Sequence, residues 1–291
     1  MPAPTPKSAL LIAGPTASGK SALALRLARE RGGVIINADS IQVYRELRLL
    51  SARPTAEEEA QAPHRLYGQV SGAEDYSVAR WLTEATREIE AVWAEGQVPI
   101  ICGGTGLYFM ALETGLSQVP PIAPEVRERW RGFVGDLHAE LAARDPAMAE
   151  RLGPNDRQRI IRALEVIDST GQSLAHWQAE GERSAFLNQI NVERHFVDVP
   201  REDLYIRAEQ RFDLMMAAGA LDEVQALPAF APDRPVMKAI GVPELQAHLR
   251  GEMSLEQAAT LAKTATRQYI KRQMTWWRGQ MKGWHRARVV G

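Results

Sequence analysis

Apolar positions follow two rhythms along this chain. Short continuous runs, Ala9–Ala13, Val34–Ala38, Val98–Cys102 and His195–Val199, have the length and character of buried strands. Between them apolar residues recur every three or four positions, the spacing of amphipathic helices. One helix is predicted over Ala22–Arg31, and a second from an N-cap at Ser77 through Trp93, closed by Gly96. A last long helix opens with the capping box Ser254 to Gln257, with Ala258, Leu261, Ala262 and Ala265 as its buried stripe. Strands alternating with helices predict an α/β fold with a parallel sheet.

The alternation is interrupted twice. Arg45 to Gly72 is irregular, broken by Pro54 and Pro63, and its acidic run Glu57-Glu58-Glu59 reads as a solvated face. From about Leu116 the chain changes character: Pro120, Pro121 and Pro124 form a linker, and the sequence is helical to about Asn191. An inserted all-helical subdomain, residues 118–191, is therefore expected between core segments 1–117 and 192–291. Within it Gly153-Pro154-Asn155 opens a helix with the apolar face Ile160, Ile161, Leu164 and Ile167, and Gly171 ends it.

Composition bounds the function. The chain has 291 residues, 45% hydrophobic and 24% charged, which is ordinary globular usage with a sizeable core. No apolar run approaches the roughly 20 residues of a membrane span, and MPAPTPKS is not a signal sequence, so a cytoplasmic protein with no membrane partner is expected. Cys102 is the single cysteine, which excludes internal disulfides and a cysteine-rich zinc site, and the six histidines show no metal-ligand spacing. The net charge of −1 hides an asymmetry: no Asp or Glu follows Glu256, whereas Lys263, Arg267, Lys271, Arg272, Arg278, Lys282, Arg286 and Arg288 all do. That tail suggests a polyanionic partner.

The first strand leads into chemistry. Gly14, Gly19, Lys20 and Ser21 satisfy GxxxxGK[ST] between a strand and a helix, the context that defines a P-loop. Such a loop turns its N–H groups toward one anion, with Lys20 as a point charge and Ser21 as an oxygen for Mg²⁺. It predicts a diphosphate cradle on a P-loop NTPase-like sheet. Asp39 ends the second strand beside it and has three possible roles: a Mg²⁺ carboxylate, a general base, or a turn residue. Gly103-Gly104-Thr105-Gly106 ends the next strand, where Thr105 presents a hydroxyl. Arg207 and Arg211 share a helix face as candidates for neutralising phosphate, and Gln158, Arg159 and Arg162 form either a phosphate-facing flank or solvated surface. In the last helix Lys263, Arg267 and Lys271 repeat every four residues, interleaved with Tyr269, Trp276, Trp277 and Trp284. Cations for phosphates and rings for unstacked bases suit a single-stranded RNA loop; the alternative is a structural helix with core tryptophans. These residues leave open an ATP-dependent small-molecule kinase, a transferase with diphosphate as leaving group and RNA as acceptor, and a nucleotide-switched RNA-binding module.

A family resemblance narrows the choice. GPTASGKS, NADSIQVYRE, APHRL, YSVA, GGTGLYF, PNDRQRIIRALEV, PREDLYIRAEQRF, AIG and ATRQYIKRQMTWWRG resemble, in order and over nearly the whole chain, the motifs of the bacterial tRNA dimethylallyltransferases. The resemblance implies transfer of a dimethylallyl group from dimethylallyl diphosphate to the exocyclic amine of the adenosine 3′ to the anticodon. Diphosphate is released with Mg²⁺ present, and ATP is not the substrate. It implies that Thr16, Ala17, Ser18, Gly19, Lys20 and Ser21, after Gly14, contact the donor diphosphate, that Asp39 is the base and that Arg211 assists the diphosphate. Asp39, Ser40, Ile41 and Gln42 would lie along the tRNA and Thr105 by the target adenosine, with Arg127 and Gln158, Arg159, Ile160, Ile161 and Arg162 touching the tRNA anticodon stem-loop. A monomer is expected. Two positions depart from the family pattern: Ser51 and Arg53 stand where a threonine and a lysine are usual, and Val242 and Pro243 follow AIG in place of an aromatic and a basic residue.

Overall fold

The structure, a computed structural model, describes residues 7–180, 186–188, 190–281 and 283–287. The chain forms two compact units, residues 1–113 with 186–291, and residues 114–185. In order, the chain runs through β1 (Ser8–Ala13), α1 (Lys20–Arg31), β2 (Gly33–Asn37), the single turn α2 (Ala56–Glu59), β3 (His64–Arg65), α3 (Val78–Ala94), β4 (Val98–Gly103) and α4 (Gly106–Thr114). The second unit carries α5 (Pro124–Arg131), α6 (Leu137–Arg144), α7 (Pro146–Arg151), α8 (Arg157–Thr170) and α9 (Leu174–Glu180). The first resumes with β5 (Asn191–Val197), α10 (Arg201–Ala217), α11 (Ala220–Gln225), α12 (Val242–Leu249), α13 (Leu255–Gln280) and β6 (His285–Ala287).

The sheet has six strands in the order β3-β2-β4-β1-β5-β6, and every pairing is parallel. β1 and β4 are adjacent at its centre, with Leu10 beside Ile100 and Ala13 beside Gly103. Chain direction then fixes where the chemistry sits. The carboxyl ends of β1, β2 and β4 lie side by side, so the P-loop, the Asp39 segment and the Gly103–Gly106 turn share one edge. Both faces of β1 are covered, consistent with its unbroken apolar run. Leu11 and Ala13 pack with Trp81, Phe109 and Trp277 on one face, and Leu10 and Ile12 with Leu23, Leu27 and Ile270 on the other.

Two expectations needed revision, and two short strands went unpredicted. The fourth strand begins earlier and ends earlier than His195–Val199, because β5 pairs with β1 from Ser8↔Asn191 onward. Its first residues, Asn191 to Arg194, are polar apart from Val192 and carry no continuous apolar run. Edge strands β3 and β6 are two and three residues long, too short for any periodicity. The buried stripe of α13 is Ala258, Ala262, Ile270, Gln273, Met274 and Trp277, whereas Leu261 is 48% exposed. The second unit has its own core of Trp130, Leu141, Met148, Ile160 and Leu164, and the Trp130 indole donates to Asp168 at 2.8 Å.

Candidate active site

The loop after β1 is held open by backbone conformations that few residues adopt. Gly19 has φ +87°, and Ala17, which carries a side chain, has φ +62°. Gly14 has no room for a Cβ, which would meet Ser18 Oγ at 2.7 Å and Val197 Cβ at 3.2 Å. Ser18 is fully buried, and among the described residues its hydroxyl has no hydrogen-bond partner. The Lys20 ammonium donates to Pro15 O at 3.3 Å. Burial pulls its pKa below the ordinary 10.5, while the charge of Asp39 pushes it up and Arg211 lowers it further.

Asp39 is aimed by a buried asparagine. Asn37, fully buried at the end of β2, accepts the Asp39 N–H at 2.8 Å and donates to Asp39 O at 3.0 Å and Leu66 O at 3.1 Å. Its own carbonyl accepts the Trp81 indole N–H at 2.8 Å, so both ends of its side-chain amide and its carbonyl are committed. The Asp39 carboxylate accepts Ile41 N–H through Oδ1 at 3.0 Å, and Oδ2 faces Gly104, where a Cβ would lie 3.4 Å away. The next turn is tied to the same place: Thr105 Oγ1 accepts the Ser40 N–H at 2.9 Å, and Thr105 N–H donates to Ala38 O at 3.1 Å. Gly103 cannot carry a side chain here, since a Cβ would sit 2.1 Å from Ala38 O.

Two later helices close the constellation. From α10, Arg211 donates to Thr16 Oγ1. Burial lowers its pKa and the Asp39 charge opposes this. Arg207, one turn earlier, is exposed, so the pair divides, because only one of two positions four apart lands against the loop. From α13, Gln273 accepts the Thr16 N–H and donates to Gly104 O, each at 3.0 Å. Tyr269 lies on the same helix, its pKa raised by burial and by Asp39. One carboxylate, one lysine and one arginine thus interact across the carboxyl ends of three strands, a cationic anion cradle with a proton acceptor at its rim.

The comparisons agree with this geometry. A sequence profile described as IPP transferase matches residues 42–280, and one described as isopentenyl transferase matches 7–74. The tRNA dimethylallyltransferase of Azorhizobium caulinodans is 54% identical over 286 residues, which is 96% of this chain and 91% of that protein. The chain belongs to the tRNA dimethylallyltransferase family. The Nitrobacter hamburgensis member is 52% identical over 94% of this chain and 88% of its own length. The full-length tRNA isopentenylpyrophosphate transferase of Bacillus halodurans superposes with a TM-score of 0.70 at 32% identity, over 99% of this chain and 92% of that one. A eukaryotic dimethylallyltransferase acting on tRNA gives 0.83 at 28% identity, over 97% and 74%.

Not every residue singled out from the family pattern meets the cradle. Gly14, Thr16, Ala17, Ser18, Gly19, Lys20 and Ser21 form the loop and first turn of α1, and Asp39, Ser40, Ile41 and Thr105 adjoin it. Gln42 is turned into the protein, donating to Ser51 O at 2.9 Å and Ala52 O at 2.7 Å. Ser51 and Arg53 likewise bond the backbone, to Leu47 O at 2.7 Å and Tyr44 O at 3.2 Å. In the second unit Arg127, Gln158 and Arg159 are exposed, and Arg162 pairs with the buried Glu165 at 3.5 Å. Ile160 is fully buried and Ile161 packs against the same core, so the open flank of α8 belongs to its polar neighbours.

The basic tail of this family member is less free than its sequence suggests. Lys263 pairs with Asp213 at 2.6 Å and Arg267 with Glu209, both on α10, while Lys271 is exposed. Trp277 and Trp284 are core residues packed on Phe109, and Trp276 fills the space left by Gly106. These three tryptophans, expected to stack on bases, are therefore committed to packing within the fold. Val242 is also buried. Lys282 and Arg288 lie outside the described residues.

Ser21, exposed on the first turn of α1, offers the hard oxygen that Mg²⁺ accepts. Mg²⁺ usually completes its shell with substrate phosphates and water. Among the described residues there is no group of three or more His, Cys, Asp or Glu that could hold a metal ion. Two residues were missed from sequence. Asn37 is a polar side chain inside an apolar run, and that misplacement was the available signal; Gln273, flanked by Arg272 and Met274, carried none. Among the described residues no helix is long and apolar enough to cross a membrane.

Proposed function

We propose that this chain is a cytoplasmic, monomeric tRNA dimethylallyltransferase that moves the dimethylallyl group of dimethylallyl diphosphate onto the exocyclic amine of the adenosine 3′ to the anticodon. The observation that carries the reading is Asp39, a carboxylate set between the cationic cradle and the Thr105 turn and acting electrostatically on both Lys20 and Arg211.

The P-loop N–H groups, Lys20 and Arg211 hold the donor diphosphate. As the allylic C–O bond breaks, negative charge grows on the leaving oxygens, and donors already aimed there stabilise the transition state more than the ground state. Ser21 would supply the protein oxygen for a Mg²⁺ ion, whose charge would offset that building up on the diphosphate. The acceptor adenosine, pulled from its stack, lies against Thr105 and Ser40. Its amine forms the new C–N bond while Asp39 takes the departing proton, and diphosphate leaves with the C–O electron pair. The exposed cations of α8, Arg127 and Lys271 meet the phosphates of the anticodon stem-loop.

The test is mass spectrometry of nucleosides from an anticodon stem-loop RNA incubated with the protein, Mg²⁺ and dimethylallyl diphosphate. A dimethylallyl-adenosine product is expected. Phosphate transfer from ATP to a small acceptor, with no prenylated nucleoside, would replace the reading with a kinase.

A further inference from the structure

Gln273 is 6% exposed on the buried stripe of α13, between Ile270, Met274 and Trp277. Packing at such a position is served by an aliphatic side chain, and burying an amide there is costly unless both of its ends are bonded. Both are. Oε1 accepts the N–H of Thr16 in the donor cradle, and Nε2 donates to the carbonyl of Gly104, immediately before Thr105 in the acceptor turn. A Cβ at Gly104 would stand 2.7 Å from Nε2, so the glycine is what lets the amide approach.

We propose that Gln273 is a positioning residue that sets the spacing between the diphosphate cradle and the turn that receives the acceptor. This rests on the prenyl-transfer reading. A primary amide of this length supplies an acceptor at one end and a donor at the other. Two substrates held on separate loops react only when those loops keep a near-attack separation, and a shift of about 1 Å costs on the order of 10²-fold in rate. Gln273 touches neither reacting atom in this scheme. It consumes the Thr16 N–H, so its removal takes no donor away from the diphosphate.

The test uses Gln273→Met, which keeps length and volume without either bond, and Gln273→Asn, which keeps the amide one methylene short. The expected result for both is a single-turnover rate lower by roughly 10²-fold, with dimethylallyl diphosphate and stem-loop RNA affinities within about twofold of wild type. Amide hydrogen exchange at Thr16, measured without substrates, should accelerate in both variants while the melting temperature stays within a few degrees. Wild-type rate in the Met variant, or unchanged Thr16 protection, overturns the proposal. So does a parallel loss of rate, both affinities and melting temperature, the signature of a merely structural residue. Absence of prenyl transfer by wild type would instead sink the functional reading, leaving the exchange result to judge the clamp.

Discussion

Replacing Asp39 by Asn isolates the role of its charge, because the surrounding backbone does not depend on it. Asn37 holds Asp39 N–H and C=O whatever the side chain beyond them, and an amide oxygen can still accept the Ile41 N–H. Shape is therefore retained, while the proton acceptor and one negative charge are lost. A general base contributes about 10²–10⁴-fold, or roughly 2.7–5.4 kcal/mol of barrier at 1.36 kcal/mol per decade. The same charge raises the pKa of Lys20 and of Arg211, so its loss leaves Lys20 easier to deprotonate, but it also removes an anion from beside the diphosphate. These two effects oppose each other in donor binding and not in rate. The assay is single-turnover prenyl transfer to stem-loop RNA across a Mg²⁺ titration, with donor affinity measured in parallel. The expected outcome is a rate loss within the stated range, donor affinity within a few-fold of wild type, and no rescue by Mg²⁺. Recovery of activity at high Mg²⁺ together with weakened donor binding would refute the base and make Asp39 a metal ligand.

Three further outcomes are expected. Because burial lowers the Lys20 pKa from 10.5, donor affinity should fall as pH rises through a value below that figure, the free protein losing the charge that bound diphosphate favours. A Lys20→Arg variant should lack this alkaline limb, and an identical limb in both proteins would exclude Lys20 as its source. Lys271→Ala should reduce the slope of log affinity for RNA against log salt by about 0.7–0.9, whereas Lys263→Ala and Arg267→Ala, already paired with Asp213 and Glu209, should change it less; equal effects from all three would contradict the pairing. Trp277→Ala should cost about 3–5 kcal/mol in denaturant unfolding. Trp277→Phe should cost less, since it keeps part of the buried ring and, among the described residues, the indole N–H has no hydrogen-bond partner to lose; an equal cost for both would contradict this.

The sequence by itself determined the P-loop, because GxxxxGK[ST] is a local arrangement whose glycine torsions and helix start are specified by adjacent residues. It also determined the central strands, whose burial on both faces leaves an unbroken apolar run, and the cap of α13, where Ser254 and Gln257 bond each other's backbone as the spacing requires. Asp39 was legible as a candidate because a strand end on a parallel sheet has one possible side. What the tertiary structure alone decided depends on residues distant in the chain. Arg211 and Arg207 are equivalent by spacing, and only the docking of α10 brings one of them to Thr16. Lys263, Arg267 and the tryptophans read as a nucleic-acid surface because periodicity reports which residues share a helix face and not what that face meets. Here it meets the acidic side chains of α10 and the aromatic residues of α4 and β5. Gln273 is the clearest case. Its partners Thr16 and Gly104 lie 257 and 169 residues away, so no local pattern encodes them, and its meaning appears only when the parallel sheet sets the ends of β1 and β4 side by side.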